Sequence, residues 1–294
     1  MITRPWPRWA LAALGRIGGG GARLTWPVRA RLRRNLELAL GEDAFEPNVV
    51  DRYFDRMSHW ASMMLGVYHR GLAGSGAMEF IRFDDSVSHL DEAVKGGRGV
   101  VLAAPHFFLH EVCGGVIGTR HPLVAVVREQ PVPSRQRRKE HWYRAVGMGT
   151  VWRPRKSRVV ADMRVCLGVL RQGGVLAIAP DLVVDSARGV PLQLFGRRVH
   201  LMPGAVAIAQ LTGAPLVTLS PAWNGDDGLQ MTFSEPLRDA TDGSRKSRIS
   251  QGMQMWCDLF AERIQCAPED WLFWLDKRWS KVFRSRRLTE VQHH

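Results

Sequence analysis

From Ala104 to Glu111 the chain reads Ala-Pro-His-Phe-Phe-Leu-His-Glu, and two of these side chains can move protons. His106 and Glu111 are separated by four residues. An imidazole removes a proton near neutral pH, and a carboxylate turned back towards it fixes the ring tautomer and steadies the imidazolium. A helix beginning just after His106 would let Glu111 make that turn, so the spacing predicts Glu111 as the orienting acid. No G-x-S-x-G nucleophile elbow accompanies the pair. The chemistry expected is therefore direct deprotonation of a substrate hydroxyl by His106, with no covalent intermediate on the protein. The bland alternative is a structural histidine satisfied by a nearby acid. A metal is not expected. His106 and His110 do stand four apart, but the zinc-peptidase pattern has Glu directly after the first His. Phe107 occupies that position, and spacing places no third ligand.

Catalysis needs these residues at a fixed place, and the flanking pattern supplies one. Gly99 to Pro105 is a short apolar run bounded by turn residues, the mark of a buried strand, and His106 stands at its carboxyl end. Ligand sites of α/β folds lie at such ends. Further strands are expected at Leu123–Val127, Val175–Ala179 and Pro215–Leu219. Helices are expected over Val49–Leu72, from near Leu109, and over Ser134–Val146, Arg158–Gln172 and Gly204–Thr212. In the first of these, Tyr53, Met57, Trp60, Met64 and Val67 recur at helical steps along one face. Strands alternating with helices predict an α/β fold with a largely parallel central sheet, helices on both faces and helical additions at both ends. Residues 1–48 read as a membrane-interface segment and 49–294 as a single domain, with a break at 240–246 before a final helical section.

Two more candidate residues follow strands. Arg128 can grip a sugar or lipid phosphate through its guanidinium fork, or pair with Glu129. Asp181 can orient a substrate hydroxyl, hold Arg188, or cap a helix.

Composition narrows the partners. Of 294 residues, 41 are Lys or Arg against 28 Asp or Glu, a net charge of +13 that calls for an anionic partner. Eleven tryptophans, with Trp6 and Trp9 beside Arg4 and Arg8 and with Trp271, Trp274 and Trp279 beside Lys277 and Arg278, favour an anionic membrane surface. No zinc-finger spacing, RNP motif or clear helix-turn-helix supports nucleic acid. The four cysteines form no CxxC pair and predict neither disulfides nor a zinc site. No apolar run reaches 18 residues, so an interfacial N-terminus is expected, not a spanning helix. The basic stretch Arg135, Arg137, Arg138 and Lys139 reads as a solvated face, or as one that meets the membrane or an acidic carrier protein.

The ordered set of motifs resembles the lipid A biosynthesis (lauroyl/myristoyl) acyltransferases of the lysophospholipid-acyltransferase-like superfamily, which also includes the phosphatidylinositol mannoside acyltransferases. His106 and Glu111 with Gly114-Gly115 resemble the His-x4-Asp/Glu signature. Arg33-Arg34-Asn35-Leu36, Arg128, the stretch Ala179-Pro180-Asp181 to Arg188-Gly189, Phe195-Gly196, Pro203-Gly204 and Pro268-Glu269-Asp270-Trp271 match the family in order over about residues 30–280. Leu182 departs from the Gln or acid usual after the Pro-Asp pair, and the N-terminal transmembrane helix of many members is absent or reduced. The resemblance implies a glycerolipid-acyltransferase-like fold and an O-acyltransferase of EC 2.3.1 type. It would take an acyl group from acyl carrier protein or acyl-CoA to a glycolipid hydroxyl, without a cofactor, at the cytoplasmic face of the inner membrane, peripheral or N-terminally anchored. A lipid A precursor is the expected acceptor, with phosphatidylinositol mannoside or a lysophospholipid as the alternative. His106 and Glu111 would be catalytic, and Arg128, Asp181, Arg188, Gly189, Phe195 and Gly196 substrate-binding. A same-fold membrane protein without catalysis is the remaining reading.

Overall fold

The computed structural model describes residues 26–154, 163–224, 228–237 and 243–287. Its frame is a seven-stranded sheet in the order β1-β9-β8-β2-β5-β3-β4. These strands are β1 (Ile81–Phe83), β2 (Val100–Ala103), β3 (Leu123–Arg128), β4 (Gly149–Arg153), β5 (Val175–Ile178), β8 (Leu216–Trp223) and β9 (Leu229–Phe233). All neighbours run parallel except β8 and β9. The central strands β2 and β5 are buried at every residue, as continuous Val/Leu/Ala/Ile runs covered on both faces must be. Alternate side chains feed two separate cores: Val101, Ala103, Leu176 and Ile178 point into one, Val100, Leu102, Val175 and Ala177 into the other. A short antiparallel hairpin, β6 (Val190–Leu194) and β7 (Arg197–Leu201), lies apart from the sheet.

Ten helices surround these strands among the described residues: α1 (Trp26–Leu40), α2 (Val49–Ser75), α3 (Ala77–Phe80), α4 (Val87–Lys95), α5 (His110–Gly118), α6 (Pro133–Val146), α7 (Met163–Arg171), α8 (Gly204–Thr212), α9 (Arg245–Cys266) and α10 (Lys277–Phe283). The expected α/β architecture is therefore present. Each strand expected from an apolar run appears within a few residues of its place. Missed were β1, β4, β6, β7 and β9, which are short and carry alternating polar or basic residues. The Arg158–Gln172 helix is seen from Met163, residues 155–162 lying outside the described part. No helix among the described residues is long and apolar enough to cross a membrane.

One expectation is overturned. Trp271, Trp274 and Trp279, read as interfacial, are at most 1% exposed. They pack edge-on around Trp271, at centroid distances of 5.0 Å (Trp274) and 4.9 Å (Trp279), with Phe260 and Phe283 against the same ring. Their neighbours Lys277 and Arg278 lie on exposed turns of α10, so the basic residues beside them in sequence say nothing about where the indoles point. Burying a large apolar side chain contributes roughly 1.5–3 kcal/mol, and a cluster of this size is core. Trp6 and Trp9 lie outside the described residues. Helix α1, inside the 1–48 segment, docks on this cluster: Asn35 Nδ2 donates to the Trp274 carbonyl at 2.7 Å and to Ser280 Oγ at 2.9 Å.

Candidate active site

Strand register explains what meets at the site. β2 and β5 are parallel neighbours with Ala103 opposite Ile178. His106 and Asp181 each lie three residues past that level, so they emerge side by side at the carboxyl edge of the sheet. The Asp181 carboxylate is fully buried. Its Oδ1 lies 2.7 Å from His106 Nδ1, and its Oδ2 accepts the His106 backbone N–H at 2.9 Å. Trp271 Nε1 adds a second N–H to Oδ2 at 3.1 Å, and Trp279 Nε1 donates to the Asp181 carbonyl at 3.1 Å. Burial alone would raise the pKa of Asp181, but the charge of His106, the two hydrogen bonds from His106 and the one from Trp271 pull it below the usual carboxylate range. With Asp181 ionised, Nδ1 carries the hydrogen and Nε2 is the free base nitrogen. Burial pulls the imidazole pKa down, and Asp181, seconded by Glu111, more than reverses it, so the pKa of His106 stands above its ordinary value. The ring face stacks on Phe273 at 4.2 Å between centroids.

The position predicted for Glu111 beside Nδ1 is thus occupied by Asp181. Glu111 is nearby but faces elsewhere. Leu109, in the left-handed region at φ 65°, turns the chain into α5. Glu111 Oε2 then accepts from Trp142 Nε1 at 2.8 Å, and Oε1 from the Tyr143 hydroxyl. Burial and the Glu111 charge hold the Tyr143 phenol well above its usual pKa, so it remains a donor. His110 lies against His106 at 4.8 Å, with Nδ1 on the Phe107 carbonyl oxygen at 2.8 Å. Burial and then the His106 charge depress its pKa.

The Pro268–Trp271 segment closes the turn from behind. Phe108 N–H donates to the Asp270 carbonyl at 2.9 Å and Leu272 N–H to the His106 carbonyl at 2.9 Å. Three arginines hold the segment: Arg52 reaches Glu269 at 2.7 Å, and Arg263 at 2.5 Å and Arg56 at 3.5 Å reach Asp270. Trp271 therefore touches Asp181, Phe273 touches His106, and Trp142 and Tyr143 touch Glu111, although none of the four was a candidate site residue. The nearest signal was the Pro-Glu-Asp-Trp stretch itself.

In front of His106 opens a cavity of about 970 Å³. Leu102, Ala104, Ala125, Val127, Met148 and Leu219 are among its apolar lining, and Arg128, Lys139, Arg153, Arg188, Arg198, Arg278 and Lys281 are its cations. Of the residues expected to bind substrate, Arg128 and Arg188 line it. Arg188 pairs at 2.7 Å with Asp185, not with Asp181. Asp181 stands behind His106. Gly189, Phe195 and Gly196 are not in the lining. A Cβ on Gly189 would come within 2.8 Å of His200 Cβ, so it serves close packing. Phe195 and Gly196, at φ 51° and 68°, form the β6–β7 turn, with Phe195 stacked on Trp274.

Residues 2–281 match the family described as bacterial lipid A biosynthesis acyltransferase. The chain belongs to this family. Among its relatives are the phosphatidylinositol mannoside acyltransferase of Mycobacterium tuberculosis strain H37Rv and the lipid A biosynthesis palmitoleoyltransferase of Escherichia coli K12. The first is 27% identical over 223 residues, which is 75% of this chain and 66% of the relative. The second is 24% identical over 299 residues, 98% of this chain and 89% of the relative. This member of the acyltransferase family thus spans about two thirds of the length of the mycobacterial relative. One relative is named for phosphatidylinositol mannoside and the other for lipid A biosynthesis, so membership places the chain among acyltransferases without naming what it acylates.

Proposed function

We propose that the chain is an O-acyltransferase that moves a fatty acyl group from a thioester to a hydroxyl of a membrane glycolipid, with His106 as general base. The observation that carries the reading is the 2.7 Å contact of Asp181 with His106 Nδ1, which leaves Nε2 as the free nitrogen of a residue that lines a cavity of apolar and cationic side chains. In this mechanism Nε2 takes the acceptor hydroxyl proton while the oxygen attacks the thioester carbonyl. The tetrahedral intermediate collapses, the C–S bond breaks, and the imidazolium returns its proton to the departing thiolate. Asp181 orients the ring, and Glu111 adds a second negative charge that favours the imidazolium.

An apolar lining suits an acyl chain, and the cations suit the phosphates of a lipid A precursor, an acceptor in keeping with the lipid A biosynthesis named for the Escherichia coli relative. We assign the fold to the glycerolipid-acyltransferase-like type, the donor to acyl carrier protein or acyl-CoA, and the site of action to the cytoplasmic face of the inner membrane. Phosphatidylinositol mannoside, named for the mycobacterial relative, is the alternative acceptor. In membranes from cells lacking the protein, restoration of the missing acyl group by wild type and not by His106→Ala, with equal membrane binding of both, supports this reading. Acylation that persists in the variant overturns it.

A further inference from the structure

Arg128 and Arg153 end β3 and β4, and the parallel register sets them directly opposite each other. Like charges placed so destabilise a sheet. Lys139 brings a third cation: its Nζ donates to the Arg128 carbonyl at 3.1 Å. All three line the cavity that His106 heads. Among the described residues none of the three pairs with a carboxylate. Glu129, among the described residues, uses its backbone N–H on the Arg153 carbonyl at 3.0 Å and makes no ion pair, Glu111 accepts from Trp142 and Tyr143 and acts on Lys139 only through space, and Asp185 pairs with Arg188. The strain registers in the charges themselves. Burial, then Arg128, then Arg188 pull the pKa of the Arg153 guanidinium below its usual value. Two arginines set opposite each other, with no ion-paired acid among the described residues, offer a place for an anion.

We propose that Arg128, Arg153 and Lys139 form a receptor for a doubly charged phosphate, so that the chain selects a ligand bearing a phosphomonoester over one bearing only a phosphodiester. A diester carries one negative charge, whereas a monoester carries about −1.5 to −2 at neutral pH and offers three terminal oxygens. Two guanidinium forks and an ammonium match that charge and geometry. The site stands on the strand register, the Lys139 contact and the shared cavity. Only the identity of the phosphate's carrier rests on the acyl-transfer reading, and there are two candidates: a phosphorylated sugar of the acceptor, or the ribose 3′-phosphate of coenzyme A.

Arg153→Leu tests it, since leucine suits a strand and removes the repulsion. Without phosphate the variant melts no lower than wild type. Inorganic phosphate at matched ionic strength raises the melting temperature of the wild type and not of the variant. In acylation assays the variant loses discrimination: its KM for a monoester-bearing glycolipid rises roughly 10- to 100-fold, and the ratio of KM values for diester and monoester acceptors collapses towards one. Should the KM effect follow the donor instead, present with acyl-CoA and absent with acyl-pantetheine, the dianion belongs to the donor and the receptor stands. Equal stabilisation of both proteins by phosphate, with an unchanged KM ratio, overturns the proposal. The melting measurement needs no turnover, so a protein that binds phosphate through Arg153 but acylates nothing would sink the acyl-transfer reading alone.

Discussion

Trp271 Nε1 and the His106 backbone N–H share one oxygen of Asp181, at 3.1 and 2.9 Å, leaving the other oxygen to the His106 ring at 2.7 Å. The carboxylate is thus fixed before it touches the base. Asp181→Asn retains the shape and removes the charge. It should lower kcat by roughly 10²–10⁴-fold, the range expected when a general base loses its orienting acid. The pH dependence has a definite sign. In the proposed mechanism His106 acts when neutral, and Asp181 holds its pKa above the ordinary value of about 6.5. The acid limb of the wild-type kcat/KM profile therefore lies above that value. In Asp181→Asn the depressing effect of burial is unopposed by Asp181, and the limb moves to lower pH while the plateau falls. A limb that stays in place removes Asp181 as the partner of Nδ1.

Glu111 makes a contrasting case. It acts on His106 through space, while its oxygens are engaged by Trp142 and Tyr143. Glu111→Gln should move the acid limb less than Asp181→Asn does. An equal or larger shift would mean that Glu111 reaches the ring when substrate is bound, as its spacing in the sequence suggests. Glu111→Ala additionally strips two buried donors of their acceptor and should lower unfolding stability by about 1–3 kcal/mol in urea titration.

Trp271→Phe keeps most of the ring packing and deletes one N–H from Asp181. Losing a hydrogen bond to a charged, buried oxygen costs about 1.5–3 kcal/mol, read as a lower denaturation midpoint, together with a reduced kcat. If stability falls and kcat does not, the indole supports the core but not the carboxylate.

The two adjacent glycines of α5 should differ. A Cβ on Gly115 would sit 2.4 Å from the Val146 carbonyl oxygen, a backbone atom that cannot move without α6. On Gly114 the nearest atom is Met148 Sδ at 2.5 Å, part of a flexible side chain. Gly115→Ala should therefore destabilise by about 1–3 kcal/mol and displace Tyr143 from Glu111, with Gly114→Ala the milder of the two by thermal unfolding.

The individual residues of the site were largely legible in the sequence, and their pairing was not. His106, Arg128 and Asp181 announce themselves because each ends an apolar run that can only be a buried strand. Which strands are neighbours is a different matter: β3 and β4 intervene in sequence between β2 and β5, so nothing local says that His106 and Asp181, 75 residues apart, share a level. Glu111 was favoured because it was close in sequence. Arg153 escaped notice because β4 is short, with glycine, threonine and arginine where an apolar run would have marked it. The indoles of the C-terminal section misled for the reverse reason, since composition reports residue types and not the direction in which they face.

The brace formed by Pro268–Trp271 and Trp279 also sets the order in which the site can come into being during synthesis. When the ribosome has made the strands that bear His106 and Asp181, the carboxylate still lacks its indole donor, the imidazole lacks the Phe273 face, and the aromatic core is open to water. The contacts that brace Asp181 and the ring are complete once residue 279 has emerged and folded back. A nascent chain tethered short of that point should bind its partners through its cations yet leave their thioesters untouched.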